Sequence, residues 1–378
     1  MEQTLTAKIR LYPTAEQQYM LVQSMQAYKD GCNLVSDYVY ETGILSRDVL
    51  NKALYYRLRE AFQLRSQMAQ SVIRTVVGSY RSMKANGEWS KAAYKHGFYT
   101  LVWNRDYTLK DSCFSVNTIY GRLQMLYNNT GLSHYFDKNH YKFGSAVLIY
   151  KHQKFYLCIS VTAEFPEVHT DEFCNVVGVD RGINFLAVAY NSKGKTQFYS
   201  GKTVKQVRAK YKLLRKELQR RQTPSARRRL KKIGRRENRW MTDVNHQVSK
   251  ALVCSQPEHT LFVLEDLIGI RSVTEAVKVK DRYTQVSWAF DQLGCFIDYK
   301  AVKHHSLCVY KNPAYTSQAC PKCGHTEAAN RNKKIHLFTC KRCGYRSNDD
   351  RIAGMNLHRK GIVCLVPDAD TMEHVSIV

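Results

Sequence analysis

The stretch 175–200, NVVGVDRGINFLAVAYNSKGKTQFYS, sets the reading of this chain. Residues 175–179 (NVVGV) form an unbroken apolar run of strand length, with Asp180 at its end. A second strand is predicted at 184–190 and a third near 196–200. Next comes a helix over 203–222 with Val207, Tyr211, Leu214 and Leu218 on one face. Thr223 and Pro224 fit the N-cap and first position of a further helix running to about Val253. TLFVL at 260–264 is another buried strand, closed by Glu265.

Strand, strand, strand, helix, strand, helix is the order of an RNase H-like α/β fold. Upstream, 4–12 (TLTAKIRLY) alternates as a strand, and Thr14 with Gln17 makes a capping box for a helix over about 15–41. Met68, Val72, Val76 and Tyr80 place a second helix at 66–85. From 97 to 165, FYTLVW, CFSVNTIY, SAVLIYK and KFYLCISVTA read as strands separated by turn residues. The simplest organisation is a β-rich module (1–14 and 96–174) that captures the first strand and carries a helical insertion (15–95).

With 378 residues, 44% of them hydrophobic, the chain is long enough for two or three folded domains. Its formal net charge of +26 points to a polyanionic partner. The 25 Tyr and 14 Phe include rings of the kind that stack on bases. The first residues are not a signal peptide and no run of 18 apolar residues occurs, so no membrane partner is expected. Mostly unpaired cysteines suit a reducing cell interior, and the expected location is cytoplasmic.

Three constellations carry chemistry. Cys320-x2-Cys323 and Cys340-x2-Cys343, sixteen residues apart, can close a tetrahedron around one structural Zn²⁺. Gly324 and Gly344 follow each pair, where the knuckle turn needs positive φ. Acids end the two apolar strands, at Asp180 and Glu265, and Asp350 opens a predicted helix, DRIAGMNLHRK. Converging carboxylates of this type hold paired metal ions for phosphodiester hydrolysis, although each acid taken singly is ordinary at a strand end or helix N-cap. Between Lys205 and Arg239 stand sixteen Lys or Arg against two Glu, so 16 − 2 = +14 of the net charge lies there. Lys205, Arg208, Lys212, Arg215, Arg220, Arg227, Arg228, Arg229, Lys231, Lys232, Arg235 and Arg236 are the candidate nucleic-acid contacts in that run. Gln67, Gln70 and Arg74, at helical spacing, are candidates for reading base edges.

The segments VVGVDRGINFLAVAY, LFVLEDL, NPAYTSQACPKCG and CKRCGYRSNDDRIAGMNL, with KIRLYPTAEQ at the start, resemble the TnpB (OrfB) proteins of insertion sequences. Those proteins are similar to compact relatives of the type V CRISPR nucleases. The resemblance implies α/β plus β-barrel architecture: a RuvC-like nuclease domain (175–310 and 346–378), an inserted zinc ribbon (311–345) and the wedge-like β-rich module. It implies Asp180, Glu265 and Asp350 as ligands of two catalytic Mg²⁺, a guide RNA, and a double-stranded DNA target bearing a short flanking motif. Monomer and dimer both stay open. The family's third motif is matched by Asp350, Ala353 and Asn356, but Ile352 and Gly354 depart from it, and Asp349 stays open beside Asp350. The segment at about 269–285 is a candidate lid. A guide-directed DNA-binding repressor, a DNA transposase and a CRISPR effector are the rival readings.

Overall fold

The computed structural model describes residues 1–110, 113–128, 133–137, 140–267, 290–332 and 335–365. The candidate lid at 269–285 and the chain beyond 365 lie outside the described residues. Two compact units divide after Glu164.

The first unit, Met1–Glu164, joins a seven-stranded sheet to three helices. Strand β1 (Glu2–Tyr12) leads into α1 (Ala15–Thr42), and the Thr14/Gln17 capping box is formed. Helices α2 (Arg47–Phe62) and α3 (Ser66–Ala85) follow, then β2 (Phe98–Leu101), β3 (Tyr107–Lys110), β4 (Cys113–Thr118), β5 (Gly121–Tyr127), β6 (Tyr141–Lys151) and β7 (Lys154–Glu164). Strand β1 lies between β7 and β5, antiparallel to both, and turns Ala7, Ile9 and Leu11 into the core. Met68, Val72, Val76 and Tyr80 of α3 are fully buried, as their spacing requires. The sequence reading does not single out α2. Its inward stripe Leu50, Leu54, Leu58 is masked by exposed Val49 and Tyr56. CFSVNTIY is a strand and a turn, after which β5 doubles back. The ladder runs β2-β6-β7-β1-β5-β4-β3. Among the described residues no ladder pairs its end strands β2 and β3, and a lone bridge joins Trp103, just past β2, to Tyr107, so the expected barrel is not closed by a ladder. Strands of four residues at both ends leave few groups to pair.

The second unit holds a five-stranded sheet in the order β10-β9-β8-β11-β12. Its strands are β8 (Asn175–Asp180), β9 (Phe185–Asn191), β10 (Thr196–Ser200), β11 (Thr260–Glu265) and β12 (Leu307–Lys311). Strands β8, β11 and β12 are parallel, and β9 and β10 are antiparallel to their neighbours. The α-helices among its described residues are α4 (Lys202–Arg221), α5 (Pro224–Cys254), α6 (Phe290–Lys303) and α7 (Asp349–Leu365). Thr223 caps α5 by accepting from the Ala226 amide, with Pro224 in its first turn. Strand alternation puts Val177 and Val179 in one core with Leu252, Val253, Leu293 and Ile297 of α5 and α6. The other face, with Val176 and Val263, packs on Leu357 of α7. Helix α7 lies so near the sheet that a Cβ at Gly178 would stand 2.0 Å from the Gly354 carbonyl oxygen. Among the described residues no helix is long and apolar enough to cross a membrane.

Candidate active site and metal centres

Strands β8 and β11 run parallel in register, Val179 opposite Leu264, so Asp180 and Glu265 emerge side by side at the carboxyl end of the sheet. Helix α7 packs on β8 and starts at that same end, with Asp350 in its first turn. The Asn348 side chain accepts from the amides of Asp350 (3.0 Å) and Arg351 (3.1 Å) and so caps the helix. All three acids are at most 9% exposed. Burial pushes the Asp180 carboxyl well above the usual carboxylate range, and the charges of Glu265 and Asp350 push it further. Glu265 is raised by burial, against the Thr316 hydroxyl, Arg181 and Lys360, which favour its charge. Asp350 is raised by burial and by Asp349, against Arg331, His336 and Lys205. Asp180, whose charge Glu265 and Asp350 both oppose, stands with them as a donor set that a divalent cation would relieve.

Asp349 has a different surrounding. It is fully buried, accepts from Arg331 Nε at 2.7 Å, and lies 3.4 Å from His336 Nδ1. Arg331 also reaches Asp350 at 3.6 Å. Donor atoms of His336, Asp349 and Asp350 stand within 4.8 Å of one another. His336 is further joined to Asn184, which accepts from Lys205. Arg181, 6% exposed, donates to the Glu265 carbonyl. Sequence reasoning passed over Arg181, Asn184, Thr316, Arg331, His336 and Lys360. Arg331 and His336 lie inside the spacer between the cysteine pairs, where no local pattern marks them.

The four cysteine sulfurs lie within 4.8 Å of one another, Cys320 to Cys343 and Cys323 to Cys340 at 3.6 Å. Zn–S bonds of about 2.3 Å in a tetrahedron put sulfurs about 3.8 Å apart, so the four thiols fit one zinc ion. Both knuckles are formed, Gly324 and Gly344 with φ near +70° and their amides bonded to the carbonyls of Cys320 and Cys340. Strands β13 (Arg331–Asn332), β14 (Leu337–Thr339) and β15 (Arg346–Asn348) form the small sheet beside them, with Phe338 buried among Cys320, Cys340 and Ile352.

Along α4 and α5 the basic residues divide by helical phase. Lys212, Arg220, Arg227, Arg228, Arg229, Lys231, Lys232, Arg235 and Arg236 are exposed. Arg208 is 5% exposed, a correction to its expected surface role. It shares the inward stripe of Val204, Tyr211 and Leu218, where Arg215 also lies, paired with buried Glu237. Lys205 is half-buried. In the first unit Gln70 and Arg74 are exposed, while Gln67 accepts from Arg105 and Arg74 donates to Ser71 of its own helix.

Residues 157–269 match the family model of a probable transposase, OrfB_IS605, and residues 290–357 match the Cas12f1-like TNB domain. The resemblance to the TnpB (OrfB) family holds. The TNB match spans both cysteine pairs and Asp350, and the OrfB match spans Asp180, the basic run and Glu265. The CRISPR-associated endodeoxyribonuclease Cas12f1 of Syntrophomonas palmitatica is 28% identical over 225 residues, covering 56% of this chain and 44% of that protein. Cas12f1 of Sulfoacidibacillus thermotolerans is 34% identical over 94 residues, 25% of this chain and 20% of that one. The chain thus aligns with less than half the length of these curated relatives. Among solved structures, the mini-RNA-guided endonuclease CRISPR-Cas_phi3 shares the fold with a TM-score of 0.60 at 10% identity, over 97% of this chain and 93% of that one.

Proposed function

We propose that this chain is an RNA-guided DNA endonuclease of the transposon-encoded TnpB type, with an RNase H-like (RuvC-like) catalytic domain. What supports this reading is that Asp180 and Glu265 end adjacent parallel strands and Asp350 opens the helix packed on them, all three buried and each with its charge disfavoured. In this reading the three carboxylates hold two Mg²⁺. Bound there, the ions would supply activation of the attacking water and charge relief at the leaving oxygen. Arg331 holds Asp349 and stands beside Asp350, keeping the start of α7 in place. The exposed basic face of α4 and α5 binds the phosphate backbone of a guide RNA and its DNA duplex, and pairing with the guide reads sequence. The β-rich unit with its helices contributes recognition of the flanking motif. Copurified RNA, once sequenced, should direct cutting of a matching duplex; a protein that carries no discrete RNA and cuts nothing would remove the proposal.

The thiols of Cys320, Cys323, Cys340 and Cys343 would hold one Zn²⁺, whose contribution is to close the ribbon. Metal analysis should find one zinc ion per chain, and none in Cys340→Ser. Protease protection of the ribbon should be lost in that variant and in chelator-treated wild type. A second expectation concerns the basic face. Replacing Arg227, Arg228 and Arg229 by Ala should weaken RNA binding and reduce the slope of log K against log salt by about 2 to 3, near one unit for each phosphate no longer neutralised. An unchanged slope would place those side chains away from the polyanion.

A further inference from the structure

The segment from Asn312 to Ala319 is bound on one side to α7 and on the other to Glu265. Asn356 of α7, 8% exposed, donates from its side-chain amide to the carbonyls of Thr316 (2.7 Å) and Ala319 (2.8 Å). One turn further on, Lys360 donates to the Asn312 carbonyl at 2.7 Å, with the Ala314 carbonyl at 3.4 Å. Held from both ends, the turn directs one side chain inward. Thr316, 3% exposed, donates its hydroxyl to Glu265 Oε1 at 2.6 Å and also contacts the Pro313 carbonyl at 3.0 Å.

We infer that Thr316 and Asn356 are positioning residues that make α7 the common mount of two metal-binding carboxylates. Helix α7 carries Asp350 directly and fixes Glu265 through Asn356, the 312–319 turn and the Thr316 hydroxyl. Glu265 sits at the end of a strand, but its carboxylate still has side-chain torsions that a strand does not restrain. A hydroxyl at 2.6 Å on one oxygen restrains them and leaves the other oxygen to face a cation. Through this link the spacing between the second and third carboxylates depends on one rigid body, α7 with its bound turn. A residue that orients a ligand in this way changes metal affinity by about 10- to 100-fold when lost.

The inference rests on the metal site proposed above, and the test separates the two. Mn²⁺ binding to the full-length, nucleic-acid-free chain would be followed by loss of the free-ion spin-resonance signal. Thr316→Val should weaken Mn²⁺ binding about tenfold and Thr316→Ser should restore it. In a Glu265→Gln background, Thr316→Val should have no further effect on Mn²⁺ binding, since its target is already altered. Asn356→Ala should weaken binding in the wild-type background and leave zinc content unchanged. Should Thr316→Val bind Mn²⁺ as tightly as wild type, while Glu265→Gln binds weakly, the positioning role is overturned and the metal site stands. If Thr316→Val weakens binding equally in both backgrounds, the residue acts only through general stability and the inference is likewise overturned. If Glu265→Gln binds as well as wild type, the metal site itself fails and the relay with it.

Discussion

Asp180→Ala protein should keep its RNA and lose DNA cleavage by about a thousandfold or more, a loss worth about 4 kcal/mol in the barrier. The position is demanding because Asp180 is buried between Glu265 and Asp350, and its charge is the one most opposed by its surroundings. Asp349, the acid next to Asp350, is already tied to Arg331. The same electrostatics give a second readout with the opposite sign. A carboxyl raised in the folded state stays protonated to higher pH than in the unfolded chain. The metal-free protein therefore loses stability as pH rises from the unfolded carboxyl value through the raised one. At neutral pH in chelator, Asp180→Asn should melt above wild type, because one of the opposed charges is gone. With Mg²⁺ the order should reverse. Wild-type cutting by the Ala variant, or melting temperatures in chelator and in Mg²⁺ that do not differ between Asn variant and wild type, would contradict this account of the site.

Gly178→Ala should destabilise the second unit by about 3 kcal/mol or more, through overpacking that cannot relax by rotating a side chain. The new Cβ would lie 2.0 Å from the Gly354 carbonyl oxygen and 2.3 Å from the His358 amide nitrogen, both backbone atoms. Either β8 or α7 must move, and these two elements carry Asp180 and Asp350. Cleavage should therefore fall with stability. Gly354→Ala is the control at the same helix–strand packing. Its Cβ would meet its nearest neighbours at 3.4 Å, so the residue that departs from the family pattern has room for the usual alanine. Replacing a glycine inside a helix should raise stability by about 0.5–1 kcal/mol. Denaturant midpoints of the two variants decide the matter; a Gly178→Ala midpoint equal to wild type would show that α7 does not rest on β8.

Elements were readable where a local rule governs them. The capping box at Thr14, the N-cap at Thr223 and the apolar runs of β8 and β11 all follow from residues near one another in the chain. Helix α2 escaped because exposed apolar residues blur its stripe, and the ladder of the first sheet depends on pairings between distant strands. Arg208 was misread for a related reason. A run of charge announces a polyanion, but helical phase decides which members face outward, and this guanidinium falls in line with Val204 and Tyr211.

From sequence alone came the alternation of strands and helices, the acids that close two apolar strands, and the spacing of four thiols. Each of these is set by periodicity or by short-range geometry. The folded chain alone decided that Thr316 holds Glu265, that Asn356 holds the turn beneath Thr316, and that Asp349 is engaged by Arg331. Such partners are separated by 18 to 51 residues and carry no common local pattern. They meet because α7 closes down on β8 at Gly178, and that packing lies outside what any window of sequence can express.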